Sequence, residues 1–326
     1  MSQEEHLIKI SNDDTGIVEL PFDAKRVRPS TFNRMLRSIV AAKSPIFGFT
    51  ILILVVLMAV FAEQFAPMDP NKISVVNRVK PPIWYDGGDP TYILGTDGLG
   101  RDVLSRMIFG ARVSLVVGFS AVFIAGFIGV IMGLTAGFIG GRVDDVLMRL
   151  ADIQLAFPFI LLAISVLAVI NANRDVNVEV STLQRLIPMI LTLGVPAWVT
   201  YARMVRGETL SLRETEFVDA ARALGDSRIS IMFRHILPNA LAPLIVLGSF
   251  NVASTILAEA ALSFLGLGVP ASVPTWGGML ADSREMLLAG QWWLATIPGL
   301  AIMLTVLSIN IIGDWLRDFY DPRLRN

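Results

Sequence analysis

The stretch VSLVVGFSAVFIAGFIGVIMGLTAGFIGG, residues 113–141, contains no Asp, Glu, Lys or Arg over 29 positions. A helix rises about 1.5 Å per residue, so about 20 apolar residues cross a hydrocarbon core of about 30 Å. The stretch therefore predicts a membrane-spanning helix. Five more uncharged apolar runs occupy residues 44–62, 153–173, 186–202, 236–258 and 286–313. We predict an all-α membrane protein with six transmembrane helices.

A seventh uncharged run, residues 260–281, is interrupted by several glycines and prolines, which break helices. We interpret it as a rigid external loop or a re-entrant segment. The first apolar run begins more than forty residues into the chain, after acidic residues, which is unlike a cleaved signal peptide.

The composition supports lipid as the solvent. Of 326 residues, 54% are hydrophobic and 17% are charged, against about 25% charged in an average soluble domain. The net charge is −1 and the basic residues form no long block, which excludes a nucleic-acid-binding function. With no cysteine and only two histidines, we expect no disulfide, no thiolate catalysis and no metal site.

The distribution of Lys and Arg predicts the orientation. The segment before the first run, the second-to-third connection, the loop between the fourth and fifth runs and the tail hold 18 of the 27 basic residues. Because basic loops stay inside, both termini are predicted to be cytoplasmic. The chain then divides into a cytoplasmic segment (1–43), a first span with an external loop (44–111), five further spans (112–313) and a cytoplasmic tail (314–326).

The predicted spans contain no ionisable residue near their centres, unlike proton- or sodium-coupled carriers. The chain also lacks the G-x-x-x-x-G-K-[ST] phosphate-binding loop, so we expect no nucleotide site in it. Glu259 lies at the outer end of the fifth run, where it either lines a transport pathway or sits at the headgroup boundary. In the second run, small residues recur every fourth position from Ala121 to Gly141, which indicates either close helix packing or a pore or subunit interface.

The loop between the fourth and fifth runs has a helical pattern. Phe217, Ala220, Ala221 and Leu224 share the spacing of one apolar helix face, opposite a charged face. Gly225 then ends this helix, and Asp226 or Ser227 caps a second helix that continues to Pro238. By pattern alone, these helices either lie on the membrane surface or dock into a groove on a partner.

The residues Asp219-Ala220-Ala221-x-x-x-Gly225, followed by His235-Ile236-Leu237-Pro238, resemble the EAA loop of ABC importer permeases. Two positions depart from the general pattern, because Asp219 replaces Glu and His235 replaces Ile. The resemblance implies that residues 206–238 form a coupling loop seated on an ATP-hydrolysing subunit. The residues that it implies for docking are Glu216, Phe217, Asp219, Ala220, Ala221, Leu224, Gly225, Arg234 and Pro238.

Further motifs narrow the resemblance to the second, C-type permease of bacterial dipeptide, oligopeptide and nickel importers. They are LGTDGLGRDVLSR (94–106), GARVSL (110–115), EAALSFLGLG (259–268), WGGML (276–280) and GDWLRDFYDPRLR (313–325). The resemblance implies a type I ABC importer permease fold in the bacterial inner membrane. It also implies four kinds of partner, namely a homologous second permease, two P-loop ATPase subunits that bind ATP and Mg, an extracytoplasmic substrate-binding protein, and lipid.

Under this interpretation the chain is not an enzyme, carries no cofactor and forms half of a path for peptides or related small solutes. Two alternatives stay open, a self-sufficient secondary transporter or channel and a non-transporting membrane scaffold. Within the 94–106 motif, Thr96 or Asp97 is predicted to cap a short interfacial helix leading into the second span. An Arg/Asp catalytic pair there lacks a nucleophile, a metal or a histidine nearby.

Overall fold

A computed structural model describes residue 39, residues 43–172 and residues 181–320. Every named regular element within these ranges is a helix, which confirms the all-α prediction. The predicted N-terminal segment lies almost entirely outside the described residues, as does the end of the tail. The α-helices are α1 (Ser44–Val60), α2 (Ala62–Phe65), α3 (Val103–Ile139), α4 (Gly141–Leu155), α5 (Phe159–Ala172), α6 (Thr182–Gly194), α7 (Trp198–Leu212), α8 (Glu216–Ala223), α9 (Arg228–Ser230), α10 (Leu237–Phe264), α11 (Trp276–Asp282), α12 (Arg284–Leu288) and α13 (Trp293–Tyr320).

Three helical stretches are long and apolar enough to cross a membrane. They are α3, α13 and the continuous stretch Arg228–Phe264, in which a π-helical segment, Ile231–Ile236, joins α9 to α10. Two more spans result if each bent pair counts as one, since α4 and α5 meet at 79° and α6 and α7 meet at 50°. The first predicted run corresponds to the shorter apolar helix α1. Each predicted run thus overlaps one of these units, while the count of six crossings stays a prediction.

Prolines account for the two bends. Pro158 lies between α4 and α5, and Pro196 lies between α6 and α7. A proline cannot donate the backbone hydrogen bond that continues a helix, and its ring clashes with the preceding turn. Pro188, Pro243 and Pro298 lie inside helices that continue past them. The proline positions therefore shape the bundle without dividing every helix that contains one.

Helix α3 is the centre of the fold, packing against α1, α6, α7 and α10. Its ridge of small residues faces α7 inside this chain. A Cβ added to Gly133 would lie 2.5 Å from the carbonyl oxygen of Ala202, and one added to Gly137 would lie 2.7 Å from Cβ of Thr209. The ridge at Gly133 and Gly137 therefore serves close packing between two helices of the bundle, while the alternative of a pore or subunit interface stays open for the rest of it.

The start of α3 differs from the prediction. Asp102, not Thr96 or Asp97, is the N-cap, and its Oδ2 accepts a hydrogen bond from the amide of Ser105 at 2.8 Å. The motif has no separate interfacial helix, because α3 runs unbroken for 37 residues from Val103. Thr96 instead accepts from the amide of Lys80 at 2.8 Å and so ties down the preceding loop. The apolar spacing after residue 102 simply continues into the span.

The two ends of α3 define two ends of the molecule. At its start, the Trp276 indole is fully buried and its Nε1 donates to the carbonyl of Met107 at 3.0 Å. We call this the Trp276 end. At its other end, Leu134 contacts the segment that contains Gly225, and we call this the Gly225 end.

Residues 260–264, predicted as loop, extend α10, and the loop proper begins only after Phe264.

Candidate functional site

The connection between α7 and α10 contains two short helices that meet at Gly225. The turn after α8 is held by two backbone bonds of 3.0 Å, from the amide of Asp226 to the carbonyl of Ala221 and from the amide of Gly225 to the carbonyl of Arg222. Gly225 has a φ of +85°, which glycine adopts without steric cost. The predicted helix stop at Gly225 is therefore confirmed.

The second helix starts as the sequence predicts. The Ser227 side chain accepts a hydrogen bond from the amide of Ser230 at 3.2 Å and so caps α9. Asp226, the alternative cap, pairs instead with His235, with 2.9 Å between Oδ2 and Nε2. These local bonds fix the path of the chain on both sides of Gly225.

The apolar residues of α8 divide between two sides of the helix. Val218 and Ala221 face inward and are buried. Phe217 and Leu224 face outward, with 42% and 88% of their surface exposed, and Ala220 is exposed as well. Phe217, Ala220 and Leu224 thus share the apolar face that their spacing predicts, and Ala221 lies at its buried edge. Val218 was missed although it stands three positions before Ala221, which is the spacing of neighbours on a helix.

Eight of the nine residues assigned to docking lie on the surface, and Ala221 is the exception. We call these eight the loop surface: Glu216, Phe217, Asp219, Ala220, Leu224, Gly225, Arg234 and Pro238. Within it, Asp219 pairs with Arg222 at 3.0 Å, which supplies a partner for the shorter carboxylate. A mostly exposed apolar side chain beside charged groups is typical of a surface that another protein covers.

The inner side of α8 is joined to the membrane helices. A cluster of buried side chains links α8 and the π-helical segment to α3 and α7, formed by Leu134, Val205, Val218, Ala221, Ile231, Met232 and Ile236. In addition, Nη1 of Arg213 donates to the carbonyl of Gly137 at 3.0 Å. A force applied to α8 therefore reaches α3 and α7 through packed side chains.

Ion pairs hold α4 against α7. Nε and Nη2 of Arg206 donate to the two carboxylate oxygens of Asp144 at 2.5 and 2.6 Å. A second pair joins Arg203 to Asp152. Two-pronged arginine–carboxylate pairs fix orientation as well as distance. The amphipathic helix α4 is thus attached to the same helix that contacts the loop surface.

A cavity of about 260 Å³ lies where the bends of α4–α5 and α6–α7 face α10. No residue that the structure places in its wall is charged. Its polar groups are neutral donors and acceptors, contributed by Gln154, Thr200, Tyr201, Asn251, Ser254 and Thr255. Because these groups are neutral, a search of the predicted spans for charged residues does not identify them. Isolated amide and hydroxyl side chains within apolar runs were the available signal.

Glu259 lies inside the helix bundle. It is 1% exposed, it lies within α10, and it is absent from the wall of the cavity. The hydroxyls of Ser263 and Ser114 donate to its carboxyl oxygens at 2.8 and 3.2 Å. The side chain therefore links α10 to α3 inside the bundle, and its place in a transport pathway or at the headgroup boundary stays a prediction.

The charges of the 94–106 motif form a cluster at the Trp276 end. Arg101 donates from Nε to Asp97 at 2.6 Å and from Nη2 to Asp282 of α11 at 2.8 Å. Arg106 lies 3.6 Å from the same two carboxylates. The cluster joins the start of α3 to α11 through these ion pairs.

Comparison with known proteins agrees with this architecture. The family model described as "Binding-protein-dependent transport system inner membrane component" matches residues 125–326, which include the loop surface and most of the cavity wall. A second model, "N-terminal TM domain of oligopeptide transport permease C", matches residues 30–82. Together they cover both halves of the chain.

Curated relatives match over most of their length. The chain is 39% identical to the di/tripeptide transport system permease protein DppC of Pseudomonas aeruginosa over 93% of this chain and 96% of that protein. It is 37% identical to the oligopeptide transport system permease protein OppC of Bacillus subtilis over 87% of each.

Among solved structures, an inward-facing conformation of the MetNI methionine ABC transporter contains a chain with a similar fold. The TM-score is 0.51 at 18% identity, over 66% of this chain and 97% of that one. This likeness concerns the fold alone. On the family match and the identity to its relatives, the chain belongs to the binding-protein-dependent transport system inner membrane components.

Proposed function

We propose that this chain is the permease subunit of an ATP-driven importer for dipeptides, oligopeptides or related small solutes. It forms half of the translocation path and is driven by a separate ATPase. The relatives named for peptide transport support the substrate class. The observation that carries the mechanism is the loop surface, exposed outward and joined inward to α3 and α7.

The loop surface is the docking site for the ATPase. Leu224 is 88% exposed at the tip of α8, next to Gly225, whose missing side chain permits a close approach. Covering such a side chain with a partner removes apolar surface from water, which favours association. Glu216 and Asp219 supply charged groups at its edge.

The cavity between the bent helices is this subunit's share of the path. Its neutral hydroxyl and amide groups offer hydrogen bonds to peptide backbone groups without trapping a positive or a negative side chain. The path opens alternately to each side when the ATPase moves α8 and, through the buried cluster, shifts α7 against α3.

The partners follow from this role. A homologous second permease supplies the other half of the path. Two P-loop ATPase subunits, which bind ATP and Mg, contact the Gly225 end. That end and both chain termini lie in the cytoplasm. An extracytoplasmic binding protein delivers the solute at the Trp276 end. Lipid covers the remaining apolar helix faces, which include exposed phenylalanines on α3 such as Phe123 and Phe127.

Reconstitution into liposomes tests the proposal. We expect dipeptide uptake only when this chain, its companion permease, the ATPase and the loaded binding protein are present with ATP. Liposomes that contain this chain alone, at the same number of copies per liposome, should take up no dipeptide. ATP-independent flux through the purified chain would establish the self-sufficient transporter or channel instead.

A further inference from the structure

Arg106 is a buried cation with spare hydrogen-bond donors. The residue is 2% exposed, and its Nε and Nη1 have no acceptor among the described residues. The nearest carboxylates, Asp97 and Asp282, lie at 3.6 Å because Arg101 takes the shorter contacts with the same oxygens. A buried donor without an acceptor costs free energy, so it calls for a partner that the chain itself does not provide.

Arg106 is one of the residues that line a cavity of about 380 Å³. The volume lies within the range typical of small-molecule pockets, about 300 to 1,000 Å³. Its wall also contains three glycines, Gly266, Gly268 and Gly278, and Val269 and Val273 make other parts of the wall apolar. The cavity is therefore a concave, largely apolar site with a buried cation in its wall.

A smaller cavity on another side of the same residue holds about 10 Å³, lined in part by Arg106, Met279 and Leu294. That space is close to the minimum for a single water molecule. A water there serves one donor of the guanidinium at most, whereas the larger cavity has room for a solute.

We propose that the larger cavity binds the carboxylate of a small solute, such as the C-terminal carboxylate of a peptide, on Arg106. The guanidinium presents parallel N–H groups that match the two oxygens of a carboxylate. The peptide source rests on the proposed function, in which solute arrives at the Trp276 end. Asp282 lies in the same wall and repels an anion, so binding is weak and reversible, as a transient stop before the path requires.

The test compares dialanine with dialanine amide, which lacks the carboxylate. Both are titrated by saturation-transfer NMR onto the complex of permeases and ATPase in nanodiscs, without the binding protein. We expect dialanine to bind at least about tenfold more tightly than its amide, the low end for charge-assisted hydrogen bonds. Arg106→Gln should abolish this preference. The matched control Arg284→Gln removes an exposed arginine of the same end and should preserve it.

Asp282→Asn provides a second, opposite variant. It removes the repelling charge from the cavity wall, so dialanine should bind several-fold more tightly, an effect that a purely structural Arg106 does not predict. Equal binding of acid and amide by wild type, or an unchanged preference in Arg106→Gln, would overturn the inference. Co-purification of the ATPase is recorded for every sample. If the ATPase does not co-purify, the result counts against the proposed function. The titration of dialanine and its amide is then repeated on the chain by itself in nanodiscs, and it still tests whether Arg106 binds a carboxylate.

Discussion

Glu259 is a carboxyl group inside the helix bundle, where two serine hydroxyls donate to its oxygens. Ser114 belongs to α3 and Ser263 to α10, so the three side chains form a polar link between two long helices. A buried carboxyl is costly unless its hydrogen bonds are satisfied, and here they are. These bonds give the side chain a structural role beside the predicted one in a pathway.

Replacing Glu259 separates the two roles. Glu259→Gln keeps groups that bond both serines, so thermal unfolding in detergent and dipeptide uptake should both stay near wild type. Glu259→Ala leaves two buried hydroxyls without their partner and opens a cavity, at a cost of about 2 to 4 kcal/mol. The melting temperature of the purified chain should fall by several degrees. Lost uptake by a fully stable Glu259→Gln protein would show that the carboxylate acts in the pathway.

At the scale of elements, the contact between α3 and α7 depends on glycine. Gly133 and Gly137 let the backbone of α7 approach where any side chain would collide. Gly207 of α7 is the opposite case, since a Cβ there would meet nothing within 4 Å. The same substitution, glycine to alanine, can therefore be compared at a closely packed position, Gly133, and at an open one, Gly207.

Gly133→Ala should destabilise the chain by about 1 to 3 kcal/mol, because the added methyl group forces α3 and α7 apart. Gly207→Ala should leave stability unchanged or raise it by up to about 1 kcal/mol, since alanine is the better helix former. Thermal unfolding of both variants in one detergent measures the difference. Equal effects of the two substitutions would contradict the close packing of these helices.

The sequence pattern did not predict which side of α8 faces the interior of the protein. The periodicity located the helix and its end at Gly225, since both depend on local chemistry. It left open whether the face with Phe217 and Leu224 meets lipid or a partner, because periodicity alone cannot distinguish the two. Similarly, the interfacial helix before the second span was a wrong inference, because the apolar spacing after Asp102 continues without a break into α3.

The whole molecule connects two distant ends through α3. The runs of uncharged residues predicted its all-helical architecture, because crossing lipid demands long apolar helices that satisfy their own backbone hydrogen bonds. The cavity wall could not be predicted in the same way. Its neutral side chains, such as Tyr201 and Asn251, come from helices far apart in sequence, and only the bends at Pro158 and Pro196 bring their helices together.

The central claim is that the loop surface docks an ATPase, and co-purification of the tagged chain from its own membranes tests it most directly. Wild type should retain a P-loop ATPase and a second permease. Leu224→Glu and Gly225→Asp should lose the ATPase and keep the second permease. The control Leu288→Glu changes an equally exposed leucine, 91% accessible in α12 near the Trp276 end, and should keep both partners. A chain that purifies alone, or an ATPase retained by both loop variants, would contradict the account.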